Sequence, residues 1–180
     1  INEWNEAVLA AFCIDRFADA MIIHGISGWA LLPQVILRNN IYTDPRKPVS
    51  VEPELGVYGE PDDLSPVLMT TNFALTFYTV ASDIESAKLN CYLLVVDSEG
   101  MSVESAVAGR KMTADTIAEA LADFKVGDKV KHRHLVIPGR SARLSGEIQE
   151  LSGWTVSVGP MDSSGIAKYL DEKWTPFPED

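Results

Sequence analysis

Apolar and polar positions follow two regimes along the chain. In the first forty residues Trp4, Val8, Leu9, Ala11 and Phe12 recur at helical spacing, which predicts a helix capped by Asn2 with Glu3 and Glu6 in its first turn. Ala18 to Ile23 is a short apolar run suited to a buried parallel strand, closed by His24-Gly25. Ser27 then stands as the cap of a second helix carrying Trp29, Leu31, Leu32, Ile36 and Leu37, with Pro33 tolerable only in its first turn or two. A helix–strand–helix unit of this kind, residues 1–40, is too small to close a core alone.

The pattern breaks between residues 41 and 66. Pro45, Pro48, Pro53, Pro61 and Pro66 are five of the chain's ten prolines. Proline removes a donor and fixes φ, so the segment is expected to be an extended linker and the domain boundary.

Residues 67–180 alternate strand and helix. Val67–Thr71, Tyr92–Val96, His134–Ile137 and Thr155–Val158 read as strands. Helices are expected at Ser102–Ala108, at Thr113–Phe124 with Thr113 as cap, through Leu144, Ile148 and Leu151, and at Ser163–Glu172. Phe73 to Glu85, mixed aromatic and β-branched, fits either helix or extended chain. The alternation predicts an α/β fold, a parallel sheet with right-handed crossovers and helices on its faces.

Such sheets bind ligands beyond the carboxyl ends of their strands. Four strand ends carry small or polar residues: Thr70-Thr71-Asn72, Asp97-Ser98-Glu99-Gly100, Pro138-Gly139 and Gly159-Pro160. Ser102, Ser141 and Ser163-Ser164 fall where helix N-termini are expected, which favours a bound phosphate or carboxylate; capping is the simpler role for any one of them.

Conventional catalytic groups are scarce. The chain has no GxSxG elbow, no phosphate-loop motif and no GxGxxG fingerprint. Asp97 and Glu99 can form a carboxylate pair for acid/base work, but an Asp at the end of a parallel strand more often caps a loop or accepts a ligand hydroxyl. His132 and His134 share one face of an extended chain without a third metal ligand nearby, and read as solvated or partner-contacting; Arg110-Lys111, Arg140 and Arg143 read as solvated charges. No catalytic residue and no metal ligand is therefore assigned. A formal net charge of -11 argues against nucleic-acid binding, and no apolar run reaches the length of a membrane span. Cys13 and Cys91 form neither a disulfide framework nor a CxxC pair, as expected of reduced thiols in a cytoplasmic protein. The chain begins Ile1-Asn2-Glu3-Trp4, without an initiator Met or signal-type core, as if cut from a longer polypeptide. Loops with threonines and glycines but little acid/base equipment suit a ligand that brings its own chemistry.

Several stretches occur in the same order in one family. They are Trp29-Ala30-Leu31-Leu32-Pro33, Asn40-Ile41-Tyr42-Thr43-Asp44-Pro45, Thr70-Thr71-Asn72-Phe73-Ala74-Leu75-Thr76 and Val96-Asp97-Ser98-Glu99-Gly100-Met101-Ser102-Val103. They continue with Lys131-His132-Arg133, Ile137-Pro138-Gly139, Ser152-Gly153-Trp154 and Val158-Gly159-Pro160. The chain resembles, over nearly its whole length, the C-terminal part of the large (gamma) subunit of the corrinoid iron–sulfur protein of acetyl-CoA synthase/decarbonylase (CO dehydrogenase) complexes. The resemblance implies the end of a TIM-type barrel in residues 1–40 and a Rossmann-like cobamide-binding domain in residues 67–180. The 4Fe-4S cluster would belong to an N-terminal region absent here.

The implied activity is methyl carriage in the reductive acetyl-CoA (Wood–Ljungdahl) pathway. Co(I) accepts a methyl group from a methyltetrahydrofolate- or methyltetrahydropterin-dependent methyltransferase and passes it to acetyl-CoA synthase. The small subunit, the methyltransferase and the synthase are the implied partners, and the fragment is expected to be a carrier domain. By the same resemblance Thr70, Thr71 and Asn72 would approach the corrin. Asp97, Glu99, Gly100, Met101, Ser102 and Val103, with Ile137, Pro138 and Gly139 and the loop of Gly159, Pro160, Ser163, Ser164 and Gly165, would hold its side chains and nucleotide tail. The DxHxxG histidine of other cobalamin carriers is missing, as it is in this family, and weak axial ligation favours Co(I).

Three segments depart from the family pattern. Glu104-Ser105-Ala106-Val107 lacks a Trp, Gly139-Arg140 stands where Gly-Tyr is usual, and Met161-Asp162-Ser163-Ser164 replaces Arg-Glu-Ala-Ala. Two other readings therefore remain: a Rossmann-like domain for another phosphorylated ligand such as a nucleotide or flavin, and a diverged paralogue serving as an interaction domain.

Overall fold

The computed structural model describes residues 2–16, 18–41 and 49–177, with residues 39–41 given by backbone alone. The chain divides into two compact units, Ile1–Lys47 and Pro48–Asp180. The motif Asn40 to Pro45 lies mostly outside the described residues.

In the first unit, helix α1 (Glu3–Asp15) and helix α2 (Gly28–Ile41) pack together, and Trp4 stacks on Trp29 at 6.0 Å. Asn2 caps α1 by accepting the N–H of Asn5. The first-turn glutamates do more than favour the helix dipole. Glu6 accepts hydrogen bonds from the backbone and ring of His24 and from the N–H of Gly25, while Glu3 accepts the N–H and hydroxyl of Ser27. The His24 side chain first, and then these backbone donors, pull the Glu6 carboxyl down to about 2.

Two expectations fail in this unit. Ala18–Ile23 is not a strand among the described residues, because its unit holds helices and no strand for it to pair with; Ile22 is 90 % exposed. The apolar stripe of α1 forms a helix as expected, yet Trp4, Val8, Leu9 and Phe12 are exposed and only Ala10 and Ile14 are buried.

The second unit holds a five-stranded sheet in the order β1-β3-β2-β4-β5. Its strands are β1 (Glu54–Tyr58), β2 (Val67–Thr71), β3 (Cys91–Val96), β4 (His134–Ile137) and β5 (Thr155–Val158). The last four are parallel, as the sequence pattern requires. β1 is antiparallel to β3, with Glu54 opposite Val95 and Tyr58 opposite Cys91. The Pro-rich segment is thus partly a packed element, since its prolines flank β1 and none stands inside it.

Period-2 alternation divides the strand side chains between two layers. Val67, Met69, Tyr92, Leu94, Val96, Leu135 and Ile137 pack under α4 (Val103–Ala108), α5 (Ala114–Asp123) and α6 (Ser145–Ser152). Leu68, Cys91, Leu93, Val95 and Val136 pack under α3 (Ala74–Ser86) and α7 (Ile166–Lys173). Helices on both faces of a mostly parallel sheet make this a Rossmann-like α/β fold. The ambiguous Phe73–Glu85 segment is helical because Phe77, Val80, Ala81 and Ile84 cover the sheet, which overrides its weak propensity. Thr113 caps α5 through a reciprocal capping box with Thr116.

Burial of Cys91 in the sheet pushes its thiol up to about 12. At pH 8 only about one molecule in ten thousand then carries the Cys91 thiolate. A soluble thiol reagent is expected to titrate the half-buried Cys13 alone in the folded chain and two thiols after denaturation. Two rapid equivalents under native conditions would contradict the burial.

At the amino end of β4 the two neighbouring histidines are neither solvated nor metal-like. His132 and His134 are buried, and Trp174 stacks on His134 at 4.7 Å and meets His132 edge-on at 5.3 Å. No cluster of potential metal ligands occurs among the described residues.

Candidate functional site

Counting only parallel strands, the chain visits β2, steps to β3 on one side, then returns past β2 to β4 on the other. The connection reverses between β2 and β4, where the loops leaving their carboxyl ends diverge to opposite faces and open a crevice. A cleft of about 480 Å³ opens there, within the usual range of about 300–1,000 Å³ for small-molecule sites.

Its lining comes from the ends of β2, β4 and β5, from Ser102 in the loop after β3, and from the helices beside them. Leu68, Met69 and Thr70 of β2 and Val136, Ile137 and Pro138 of the β4 end form one part. Ser102, Val103 and Glu104, Gly159 to Ser163, and Arg140 form the rim, while Leu75, Thr76, Thr79 and Val80 of α3 make one wall and Ile166 begins α7 beside it.

The β4 and β5 loops are stitched together where they border the cleft. Gly139 N–H donates to the Pro160 carbonyl at 2.9 Å, and Gly159 N–H donates to the Ile137 carbonyl at 2.8 Å. A side chain at Gly139 would put its Cβ 2.9 Å from the Pro160 oxygen and 3.0 Å from the Met161 nitrogen, so the close approach requires glycine.

Two threonines stand out energetically. The Oγ1 atoms of Thr70 and Thr71 are buried without a hydrogen-bond partner. Leaving a buried hydroxyl unsatisfied costs free energy, and such groups in folded proteins call for a cause. Thr70 lines the cleft, so a ligand there can supply the missing partner.

Asn72 is buried behind the cleft and organises the next loop. Its Oδ1 accepts the Ser98 N–H at 2.9 Å, the Ser98 hydroxyl at 2.9 Å and the Gly100 N–H at 3.1 Å, while its Nδ2 donates to Asp97 at 3.0 Å. Asp97 also accepts the Glu99 N–H, and Glu99 pairs with Lys111 at 2.7 Å. Both carboxylates are thus engaged in loop contacts.

Of the expected contact residues, Thr70, Ser102, Val103, Ile137, Pro138, Gly159, Pro160 and Ser163 line the cleft. Thr71, Asn72, Asp97, Glu99, Gly100, Met101, Gly139, Ser164 and Gly165 do not, although Asn72 and Gly139 shape the loops that do.

The helix N-termini differ from expectation. Ser102 precedes α4, but its hydroxyl meets Ser105 and makes no cap bond. Ser141 is buried in a 3-10 turn and donates to the Pro138 carbonyl. At the turn before α7, Asp162 accepts the N–H and hydroxyl of Ser164, which hold its carboxyl below the usual range with help from Arg140 nearby. The chain's own carboxylate therefore occupies the place foreseen for a ligand anion.

The α3 wall escaped sequence reasoning because the helix itself was unresolved there; Thr76, Thr79 and Val80, at i, i+3 and i+4, were the available signal. Arg140 was also missed as a cleft residue. It is a rim cation, with Nη1 2.9 Å from a Glu104 oxygen. No histidine lines the cleft: His132 and His134 sit at the opposite end of β4, and His24 belongs to the first unit.

Fold and cleft together define a doubly wound α/β domain with a cleft at its switch point. The chain matches the family described as CO dehydrogenase/acetyl-CoA synthase delta subunit over residues 1–170, and it belongs to that family. Relatives carry the name acetyl-CoA decarbonylase/synthase complex subunit gamma. The Methanopyrus kandleri protein is 45% identical over 93% of this chain, and that of Archaeoglobus fulgidus is 48% identical over 95%. A Methanosarcina thermophila relative, subunit gamma 2, is 46% identical over 96%. The chain spans 36% of the length of the first two and 37% of the third. No helix among the described residues is long and apolar enough to cross a membrane.

Proposed function

We propose that the Pro48–Asp180 unit is a cobamide-binding domain, the C-terminal part of a methyl-carrier subunit in a cytoplasmic acetyl-CoA decarbonylase/synthase complex. The observation that carries this reading is the partnerless Thr70 hydroxyl, buried in a cleft at the sheet's switch point. Family membership and the relatives' names support the setting.

The residues present fit such a group. Leu68, Val80, Val136 and Ile137 offer apolar surface, and Leu75 and Met161, both mostly exposed, extend it to the mouth. Thr70, Thr76 and Ser163 offer hydroxyls for amide side chains of the ligand. Ser163 also donates to Asp83 of α3 at 2.5 Å, which ties the β5 loop to the helical wall. The cleft presents no imidazole, in keeping with a cofactor held without a histidine ligand. When bound, a cobamide supplies a cobalt centre able to accept and donate a methyl group; this chain's part is to hold it and exclude water. The small subunit, the methyltransferase and acetyl-CoA synthase are the proposed partners, with a 4Fe-4S cluster outside this chain.

The test is a visible absorption titration of the folded chain with cobalamin and with cobinamide, alongside Thr70→Val and Gly159→Leu. A Cβ at Gly159 already meets the Ile137 oxygen and Val136 Cγ1 at 3.1 Å, so leucine should crowd the cleft and reduce affinity by about tenfold or more. Thr70→Val removes an unsatisfied hydroxyl, so it should keep or raise stability while it weakens binding. Saturable wild-type binding that both substitutions leave intact would put the ligand elsewhere, and no binding by the folded chain would end the cobamide reading.

A further inference from the structure

We infer that Arg140 is the residue that recognises a phosphate group of the ligand in the cleft, with Glu104 holding its guanidinium in reserve until that group arrives. The inference rests on the cobamide reading and adds the contact by which the site would distinguish a complete, phosphate-bearing corrinoid from one lacking its nucleotide tail.

Charge at the cleft leads to Arg140. Among the described lining residues it is the sole cation, facing the carboxylates of Glu104 and Asp162. Asp162 is already committed, because it accepts both the N–H and the hydroxyl of Ser164. The turn before α7 therefore offers an incoming anion a carboxylate rather than free amides, and recognition of a phosphate there falls to the guanidinium. Thr70, also lining the cleft and buried without a partner, is a second group lacking what a ligand oxygen would supply.

The hold of Glu104 on Arg140 is weak enough to be exchanged. A single Nη1 contact of 2.9 Å joins them, and the side chains are 50 % and 74 % exposed. A guanidinium carries five donors in a fork that matches phosphate oxygens in pairs, so one bond to a carboxylate leaves most of it unused. Exposed pairs of this kind are nearly neutral in water. Exchanging carboxylate for phosphate keeps Arg140 paired and returns Glu104 to solvent, where it is already largely hydrated.

The test compares the 180-residue chain with Arg140→Ala, Arg140→Lys and Glu104→Gln by visible titration with cobalamin and with cobinamide, which lacks the nucleotide and its phosphate. The expected result is a wild-type preference for cobalamin. Arg140→Ala should lose about tenfold or more in cobalamin affinity, the size of one charge-assisted contact, and leave cobinamide affinity unchanged. Arg140→Lys should keep part of the preference, and Glu104→Gln, which frees the guanidinium, should tighten cobalamin alone. If Arg140→Ala does not fold, the lysine and Glu104→Gln variants decide the matter by the same comparison. Equal effects on both corrinoids, or none on either, would overturn the role of Arg140 and leave the cobamide site standing. A folded wild-type chain that binds neither corrinoid would remove the site and this inference together.

Discussion

Asn72→Ala is expected to destabilise the Pro48–Asp180 unit by about 3 kcal/mol, because one carboxamide oxygen serves two buried N–H groups and a buried hydroxyl. Alanine leaves the buried N–H groups of Ser98 and Gly100 without an acceptor and removes one of the two donors to Asp97. The expected readout is a lower urea midpoint with an unchanged slope. Asn72→Asp keeps the acceptor but sets a carboxylate against Asp97, so it should fall between wild type and alanine. A midpoint for Asn72→Ala within experimental error of wild type would mean that the loop finds other partners. The same substitution should weaken any ligand contact made through Ser102 and Val103, which follow this loop into the cleft.

The second large effect is acid sensitivity at the opposite end of the sheet. His132 accepts the His134 N–H at Nδ1 and donates from Nε2 to the Ser65 carbonyl. His134 donates from Nδ1 to the Thr175 carbonyl and meets the Ser157 hydroxyl at Nε2. These bonds require a neutral His132, since a proton on Nδ1 would displace the backbone donor. Burial is the main cause that lowers both pKa values below 6.5, aided at His132 by Arg133 and at His134 by His132, against the backbone bonds to Ser65 and Thr175. A lowered folded-state value means the unfolded chain binds protons first. The stabilisation is therefore complete above pH 6.5 and is lost progressively as pH falls from there toward the folded values. The urea midpoint should decline as pH falls below 6.5, before the carboxylates of Asp62 and Asp162, themselves lowered by hydrogen bonds, begin to contribute. Trp174 fluorescence should report the change, because its indole packs on both imidazoles. A flat midpoint across that window would show that neither histidine loses its bonds on protonation.

Sequence patterning made the centre of the sheet legible. β2, β3 and β4 are buried along their whole length, so their apolar runs carry the signal unaided. β1 was hidden because its exposed and half-buried residues include Gly56 and its flanks carry prolines; only pairing with β3 makes it a strand. The expected strand at Ala18–Ile23 failed for the converse reason, an apolar run with no partner strand among the described residues of its unit. At the site, strand ends were predictable from topology, whereas Arg140 and the α3 wall depend on side chains brought together across the sheet. His132 and His134 looked solvated because spacing alone does not reveal Trp174, forty residues away.

The antiparallel pairing of β1 bears on how the domain is handled in isolation. A chain begun at Pro66, where the composition changes, would leave the backbone donors and acceptors of β3 open along one side, and these hydrophobic residues would become a template for strand addition between molecules. Starting at Val49 keeps β1 and with it that side closed, and it also keeps the bonds from Val51 to the Asn72 carbonyl and from Ala74 to the Val49 carbonyl. The Pro-rich stretch thus guards that side of the sheet against self-association, and a piece of this protein that keeps it covered begins some seventeen residues earlier than its amino-acid composition suggests.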